Sequence, residues 1–551
     1  MQRLREANLT RVGWGLLPAG SRWPLVPGVI AVCLIPFLFY LPFAFSPFER
    51  DEGVYATVAQ GLLRGELPYR DLFDNKPPLV YGWYALGFLT FGESVAAPRI
   101  MAALLLCLSA GVLFAYSRSV FSQNTAFLTS GLFGLSAGLP FVGLHANTEA
   151  FMTVWLVGSL LSATQAFRTG KTSWFFLSGI LIGVAIMTKQ VAIWNLMTFA
   201  AAAAWWGWRL DGSPLRRAAP AAALAAAGLI PVAIAAAPYL VTGSPGDFMY
   251  ANFWYNYRYV GLLSSVERVF ILERSALFSL FFLALAGPWI LGSLLGLVTL
   301  SRGPRTKDHV ILVLFALASA LGVATGGRFY PHYFLQLTPA MAILSAVALS
   351  NMNHRWRFGA GRVAAATAGV LVLVSVITNG LLYFAPDATV QRFSESAHRQ
   401  KEWEKDSREL GDYMAQLTQP DERIFNYGRE AQIYFYADRL PAAKFFYDWA
   451  YDYDEKTLDE AISELSQHPA PYIVDTVLPP LFDAGDREPQ FDGFLRDRYE
   501  YVERVLFADI YRLAGENQES GAEVSSGDSA SIDPNGFERL NRQTSVPSTP
   551  Q

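Results

Sequence analysis

The sequence predicts a mainly α-helical protein, a polytopic membrane bundle of about eleven helices with a small α/β domain near the C-terminus. Three observations support this prediction. Of the 551 residues, 52% are hydrophobic and only 16% are charged, whereas an ordinary soluble protein has roughly 25% charged residues. The apolar residues form runs of about 17 to 25, which are long enough to cross a hydrocarbon core of about 30 Å as helices. After residue 384 these runs stop, and short β-prone segments alternate with helical ones.

Hydropathy places the eleven spans, each with a boundary error of about two to four residues. They are 25–46, 97–116, 124–141, 148–167, 174–188, 190–208, 218–241, 276–300, 309–325, 333–350 and 361–384. Only Lys189 and Gln190 separate the fifth span from the sixth. A further apolar stretch, 79–92, is too short to span, and its aromatic residues favour an interfacial or re-entrant position.

The distribution of arginine and lysine sets the orientation, because short loops rich in these bases stay in the cytoplasm. Such residues precede the first span and follow spans two, four, six, eight and ten. The N-terminus, 1–24, is therefore predicted to be cytoplasmic, whereas the first loop, 47–96, the loop 242–275 and everything after the last span lie outside. Because the chain is rich in Ala and Arg and poor in Lys, we expect a bacterial inner (plasma) membrane.

Residues 25–384 thus form the predicted transmembrane domain, and residues 385–514 a small extracytoplasmic α/β domain. The alternating runs of this second region are "RIFNYG", "REAQIYFYAD", "KFFYD", "EKTLDEAISELSQ", "PYIVDT" and "YEYVERVLFADIYRL". The segment 515–551 is rich in Ser, Gly, Asn, Glu and Pro and poor in large apolar residues. This composition is typical of a disordered tail.

Charge and cysteine usage exclude several classes of function. The net charge of −4 is small for this length, and no basic patch suits nucleic acid. The two cysteines, Cys33 and Cys107, both fall inside predicted spans. A disulfide framework or a cysteine-based metal site is therefore not expected.

The first loop carries the residues that suggest chemistry. The stretch "FERDEGVYATVAQGLLRGELPYRDLFDNKPPL" holds six acids and four bases in 32 residues. Asp51 and Glu52 come just after the first span, at the start of a predicted short interfacial helix, where capping alone would explain them. A carboxylate at the edge of a low-dielectric wall can also act as a general base. Because Lys76 follows in "DNKPPL", one loop holds both the base and the cation that transfer from a phosphate leaving group needs.

The stretch "ERDEGVYATVAQGLLRGELPYRDLFDNKPPLVYGWYAL" resembles the first loop of the GT-C membrane glycosyltransferases, in particular the protein O-mannosyltransferase and lipid A aminoarabinose transferase superfamily (families 39 and 83). In that superfamily an acidic pair follows the first span, and a Lys-Pro-Pro motif precedes the next apolar segment. Two further motifs support the resemblance, "HANTEAF" at 145–151 and "GGRFYPHYFLQLTPAMAIL" at 326–344. The resemblance covers roughly residues 25–384 and implies a GT-C helical bundle.

The resemblance also implies roles for individual residues. Asp51 would be the catalytic base that takes the proton of an acceptor hydroxyl, and Glu52 would support it or pair with a nearby base. Lys76 would hold the phosphate of a polyprenyl-phosphate sugar, and Glu149 would be the second acid of the cavity. The chain departs from the superfamily at "NTEA", where an aspartate followed by proline is commoner, so the role of Glu149 is less well supported than that of Asp51.

Further candidates for substrate binding are Asp74, Lys189, Arg328, His332 and Tyr333. Lys189 either snorkels to the interface or contacts phosphate. Arg328, His332 and Tyr333 lie at an outer membrane edge, where they serve either an aromatic belt or an anion site. A divalent cation (Mg²⁺, Mn²⁺ or Ca²⁺) is conceivable on Asp51 and Glu149, although no histidine cluster or tight Asp-x-Asp motif supports it.

The function that these features predict is an inverting glycosyltransferase, an enzyme that moves a sugar from a polyprenyl-phosphate donor to an extracytoplasmic glycan, lipid or protein hydroxyl. Two alternatives remain at this point. One is a transporter or flippase of lipid-linked glycans, although the acids crowd one face rather than mid-membrane positions in two related halves. The other is a polysaccharide polymerase or ligase that uses a pyrophosphate-linked oligosaccharide. The predicted partners are thus the lipid-linked donor, the bilayer and the acceptor, and not nucleic acid.

Overall fold

The computed structural model describes residues 22–137, 145–261, 287, 289–304, 306–327, 329–355, 395–451, 454, 456–476 and 488–515. The first part of the chain is helical. Its helices are α1 (Arg22–Cys33), α2 (Ile35–Tyr40), α3 (Arg50–Leu63), α4 (Leu79–Phe91), α5 (Ala96–Val120), α6 (Gln123–Ala137), α7 (Thr148–Thr169), α8 (Thr172–Thr188), α9 (Ile193–Trp208), α10 (Pro214–Val241), α11 (Pro245–Met249), α12 (Tyr255–Gly261), α13 (Trp289–Arg302), α14 (Lys307–Ala324) and α15 (Thr338–Arg355).

The polytopic helical bundle predicted from hydropathy is confirmed. Helices occupy the first ten predicted spans wherever the structure describes them, whereas the span 361–384 and the tail 516–551 lie outside the described residues. Within the described part, five helices are long and apolar enough to cross a bilayer: Val26–Phe43, Ala96–Val120, Thr148–Thr169, Pro214–Val241 and Lys307–Ala324. The chain is therefore a multi-pass membrane protein.

The fifth and sixth predicted spans are separate helices. α8 ends at Thr188, Lys189 takes an extended conformation, and a short 3₁₀ turn, Gln190–Ala192, leads into α9. α8 packs closely on α10. The two backbones come so near that a Cβ atom at Gly179 would lie 2.2 Å from the carbonyl oxygen of Leu224. Small residues allow such backbone contact between helices in a membrane.

The first loop contains two helices. α3 begins with a capping box, in which the side chains of Glu49 and Glu52 each accept the backbone amide of the other residue. The interfacial position expected for α3 stays a prediction, but its residues from Glu52 to Gly61 are buried within the protein. The reason is that α3 packs between α4 and a helix of the C-terminal domain. The apolar stretch 79–92 forms α4, a helix of 13 residues that is too short to span.

The C-terminal region is a small α/β domain, as predicted. Its elements are α16 (Glu395–Leu417), β1 (Phe425–Tyr427), α17 (Gln432–Ala437), α18 (Lys456–Gln467), β2 (Tyr472–Asp475), α19 (Pro489–Arg498), β3 (Tyr499–Val505) and β4 (Ala508–Leu513). The strand order is β1-β2-β4-β3. β1 pairs parallel to β2, and the other two pairings are antiparallel.

One β-prone run of this domain is not a strand. "KFFYD", residues 444–448, lies beside the first loop instead of joining the sheet. The backbone amide of Phe73 donates to the carbonyl of Lys444 at 2.9 Å. β-propensity reflects a fit to a half-buried surface, and here the surface that the run meets is the membrane domain.

Candidate active site

Ends of several elements meet where the sequence predicted a site. Asp51 lies in the first turn of α3, Glu149 in the first turn of α7, and Lys189 in the break after α8. A 3₁₀ turn, Pro331–Gln336, adds His332 and Tyr333. Burial lowers the pKa of His332. The neighbours whose charges also act on His332 are Glu149, Lys189, Asp51 and Lys76.

Asp51 is the acid of this group that is free to react. Its side chain is half-buried, and its carboxylate has no hydrogen bond or ion pair with any residue that the structure describes. The helix N-terminus that carries Asp51 favours its negative charge. An unpaired carboxylate beside cationic groups can take a proton from a hydroxyl group that approaches it.

Glu52 is placed very differently from its neighbour. It is fully buried, and it accepts hydrogen bonds from Arg99 Nε at 2.9 Å and Nη2 at 2.5 Å. The backbone amide of Ala146 donates to the same carboxylate at 2.7 Å. Burial alone would raise the pKa of Glu52, but the charge and hydrogen bonds of Arg99 hold it well below its usual range. Of the two roles expected for Glu52, this geometry supports pairing with a base.

Glu149 and Lys189 form a buried ion pair. One carboxylate oxygen of Glu149 accepts a hydrogen bond from Lys189, and the other accepts one from Thr148 at 2.8 Å. The Lys189 ammonium also lies 3.7 Å from the ring centroid of Tyr333, a cation–π contact. Both candidates are thus partners of each other, and the buried ammonium group of Lys189 lies between Glu149 and the ring of Tyr333.

Lys76 is half-buried, and its ammonium group donates to the Oδ1 atom of Asn75 at 2.8 Å. No carboxylate in the described part of the chain forms an ion pair with Lys76. Asp74, in contrast, is buried, and both of its carboxylate oxygens accept hydrogen bonds within the protein. Its position therefore suits holding the loop in place rather than the substrate contact expected for it.

Arg328, also expected at the site, lies outside the described residues. Sequence reasoning missed Arg99, Asn75 and Tyr447, whose contacts join distant parts of the chain. Arg99 had a signal, because an arginine inside a predicted span needs a buried partner. The sequence held no such signal for Asn75 and Tyr447, since their partners are known only from the fold.

Among the described residues, no group of three His, Cys, Asp or Glu side chains could hold a metal ion. Of the two donors considered, Glu149 uses both oxygens for Lys189 and Thr148. A divalent cation would have to displace these contacts, so we derive no step through a metal.

Comparison with known proteins gives three kinds of match. The family model for dolichyl-phosphate-mannose-protein mannosyltransferase matches residues 75–236. The undecaprenyl phosphate-alpha-4-amino-4-deoxy-L-arabinose arabinosyl transferase of Erwinia tasmaniensis is 24% identical over 329 residues, which are 56% of this chain and 58% of that protein. The transferase of the same name from Enterobacter sp. is 28% identical over 163 residues, 28% of this chain and 30% of that one. The match therefore spans less than two thirds of either relative.

The structural match is more extensive. ArnT from Cupriavidus metallidurans, in its crystal structure bound to undecaprenyl phosphate, superimposes with a TM-score of 0.57 at 17% identity. The match covers 89% of this chain and 98% of ArnT. The apo structure of ArnT gives a TM-score of 0.53 at 15% identity. The two chains thus share a fold along most of their length.

Proposed function

We propose that this chain, which has the GT-C fold of membrane glycosyltransferases, is an inverting glycosyltransferase that uses a polyprenyl-phosphate-linked sugar. The relatives from Erwinia tasmaniensis and Enterobacter sp. are named as undecaprenyl phosphate-alpha-4-amino-4-deoxy-L-arabinose arabinosyl transferases, and the crystal structure of ArnT, which has the same fold, holds undecaprenyl phosphate. The acceptor is proposed to be an extracytoplasmic glycan, lipid or protein hydroxyl. The base-rich loops on the opposite side support a bacterial inner membrane orientation with the site outside.

One observation carries this proposal. The carboxylate of Asp51 has no partner among the described residues, while Lys76 and Lys189 lie near enough for their charges to act on the same histidine, His332. These positions support a general base and a cationic pocket for a phosphate in one site. Glu52 and Asp74, two other acids of the loop, are occupied by structural contacts.

The geometry supports a single displacement. The acceptor oxygen attacks the anomeric carbon while Asp51 takes its proton, and the bond from that carbon to the phosphate oxygen breaks as the new glycosidic bond forms. The electron pair of the broken bond stays on the phosphate, whose growing charge Lys76 and Lys189 neutralise. Binding both substrates in line removes much of the entropic barrier, so positioning and charge supply most of the acceleration.

Replacing Asp51 by Asn tests this mechanism. The amide has nearly the same shape but cannot accept a proton at neutral pH, and general-base catalysis is worth roughly 10²- to 10⁴-fold. We expect Asp51→Asn to reduce sugar transfer at least about a hundredfold, with unchanged membrane expression and melting temperature. The product is first identified by mass spectrometry of envelope glycans, lipids and glycoproteins from a strain that lacks the protein. The variant is then assayed by restoration of that product.

Asp71→Asn is the matched control. Asp71 lies in the same loop, but its carboxylate is engaged by Arg70 and by the backbone amide of Leu67. This variant should restore the product almost as well as the unmodified chain. Restoration at the normal level by Asp51→Asn would rule out the proposed catalytic base.

A further inference from the structure

We infer that the C-terminal α/β domain positions the phosphate-binding lysine of the membrane domain, and that Tyr447 is the positioning residue through which it does so. The inference rests on the proposed function for the role of Lys76. It goes beyond that function because it assigns a task to a domain that lies outside the bundle. Four sets of contacts carry it.

The first contact is the hydrogen bond between Tyr447 and Asp74. The Tyr447 hydroxyl donates to Asp74 Oδ1 at 2.7 Å, and both side chains are buried. A hydrogen bond to a carboxylate group is about twice as strong as one between neutral partners. It joins residues that are 373 positions apart in the chain.

The second set of contacts shows that Tyr447 belongs to a continuous junction. The backbone amide of Phe73 donates to the carbonyl of Lys444 at 2.9 Å. The rings of Phe73 and Phe445 lie 4.8 Å apart between centroids. Residues 444–447 of the C-terminal domain therefore run beside Phe73 and Asp74 and hold the chain immediately before Lys76.

The third set leads from Asp74 to the backbone of Lys76. Tyr81 donates its hydroxyl to Asp74 Oδ2 at 2.8 Å and lies 3.1 Å from the carbonyl oxygen of Lys76. Tyr69 donates to the same carbonyl at 2.6 Å. The Asp74 carboxylate and the Lys76 carbonyl are therefore held by one shared phenol, so a shift of either group moves the other.

The fourth set fixes the ammonium group. Asn75 accepts the hydrogen bond of the Lys76 side chain, and the backbone amide of Asn75 donates to Asp74 Oδ1 at 2.7 Å. The carbonyl of Asn75 accepts from Gln190 at 3.0 Å and from Asn256 at 2.9 Å. With its neighbours fixed in this way, the lysine is preorganised, which lowers the cost of binding an anion.

The inference is tested with Tyr447→Phe, which removes the hydroxyl group and leaves the ring in place. Tyr499→Phe is the matched control, because the Tyr499 hydroxyl is also buried but donates to the carbonyl of Ala470 inside the C-terminal domain. Hydrogen–deuterium exchange is measured on the full-length proteins in detergent. We expect the amides of 73–75 to exchange at least about tenfold faster in Tyr447→Phe, as the loss of one charged hydrogen bond predicts. Exchange there should not change in Tyr499→Phe.

The second readout is the affinity for undecaprenyl phosphate, measured on the same proteins and on Lys76→Ala. Tyr447→Phe should weaken binding about tenfold, Lys76→Ala should weaken it more, and Tyr499→Phe should leave it unchanged. Unchanged exchange and affinity in Tyr447→Phe would overturn the inference, even if Lys76→Ala loses binding as the proposed function requires. If instead Lys76→Ala binds normally, the phosphate role of Lys76 fails, and the exchange result alone still decides whether Tyr447 holds the loop.

Discussion

At the scale of single residues, the acids around the start of α3 differ because their partners differ. Glu52 has Arg99, whereas Glu49 is half-buried and accepts a hydrogen bond from the amide of Asn147 at 3.1 Å. Burial, together with the negative charges of Asp51 and Glu52, raises the pKa of Glu49 to about 8, although His145 opposes the shift. The folded chain therefore keeps a proton on Glu49 at pH values where the unfolded chain has lost it.

This difference predicts a pH dependence of stability. A carboxyl group whose folded pKa is raised stabilises the fold fully below its unfolded pKa, and that contribution is lost as the pH rises through the folded pKa. The pH window in which Glu49 affects stability runs from its ordinary pKa of 4.5 to its folded pKa of about 8. We expect Glu49→Gln, which stays neutral, to reduce the fall in melting temperature of the detergent-solubilised protein between pH 6 and pH 9, roughly the upper part of this window.

Burial lowers the pKa of His145, but its hydrogen bond to Glu52 and the negative charges of Glu52 and Glu49 outweigh this effect, so the pKa of His145 lies above its ordinary value. Because Glu49 and His145 act on each other's charge, the comparison is made between His145→Gln and the Glu49→Gln/His145→Gln double variant, from which the titration of His145 is absent. If the melting temperatures of the two proteins change with pH in parallel across this pH range, Glu49 is already ionised in the folded state.

At the scale of elements, Arg99 ties α5 to the start of α3. Besides its bonds to Glu52, its guanidinium donates to the carbonyl oxygens of Phe43, Ser46 and Pro47. Removing one partner of a buried ion pair leaves an uncompensated charge and costs about 3 to 5 kcal/mol. We therefore expect Arg99→Met to lower the free energy of unfolding, measured in detergent, by about this amount.

A double substitution checks the physical reason. Adding Glu52→Gln to Arg99→Met removes the buried negative charge and should recover part of the lost stability. The two substitutions would then be strongly non-additive. Simple additivity of their effects would mean that the charge of Glu52 is not what makes the loss of Arg99 costly.

The helices and the site also show which features could be predicted from the sequence and which could not. Helix positions follow from local apolar runs, so the predicted spans match the described helices, including the break at Lys189. The resemblance to the GT-C superfamily predicted that Asp51, Lys76 and Glu149 share one site. It could not distinguish a free acid from an occupied one, because Glu52 and Asp74 are occupied by residues far away in the chain. Such pairing is set by the packing of the whole molecule.

At the scale of the whole molecule, the membrane domain and the C-terminal domain meet across α3. Gly53 on α3 faces Gln432 on α17, and a Cβ atom at Gly53 would lie 2.6 Å from both the Cβ and the backbone nitrogen of Gln432. An ion pair flanks this contact, in which Arg50 lies 2.6 Å from Glu430. The glycine thus permits the close approach of α3 to the C-terminal domain.

Gly53→Ala should therefore force the two domains apart. A clash with backbone atoms cannot be relieved by a side-chain rotation, and overpacking of this kind typically costs about 1 to 3 kcal/mol. We expect a lower melting temperature, faster amide exchange in both α3 and α17, and weaker sugar transfer, since Asp51 is two residues from the clash.

Gly82→Ala is the control, because among the described residues a Cβ atom at Gly82 on α4 would meet only a leucine side chain at 4.0 Å. Alanine there should be neutral or slightly stabilising, since it favours a helix over glycine by about 1 kcal/mol. Equal behaviour of the two variants would mean that close contact across α3 does not hold the C-terminal domain against the site.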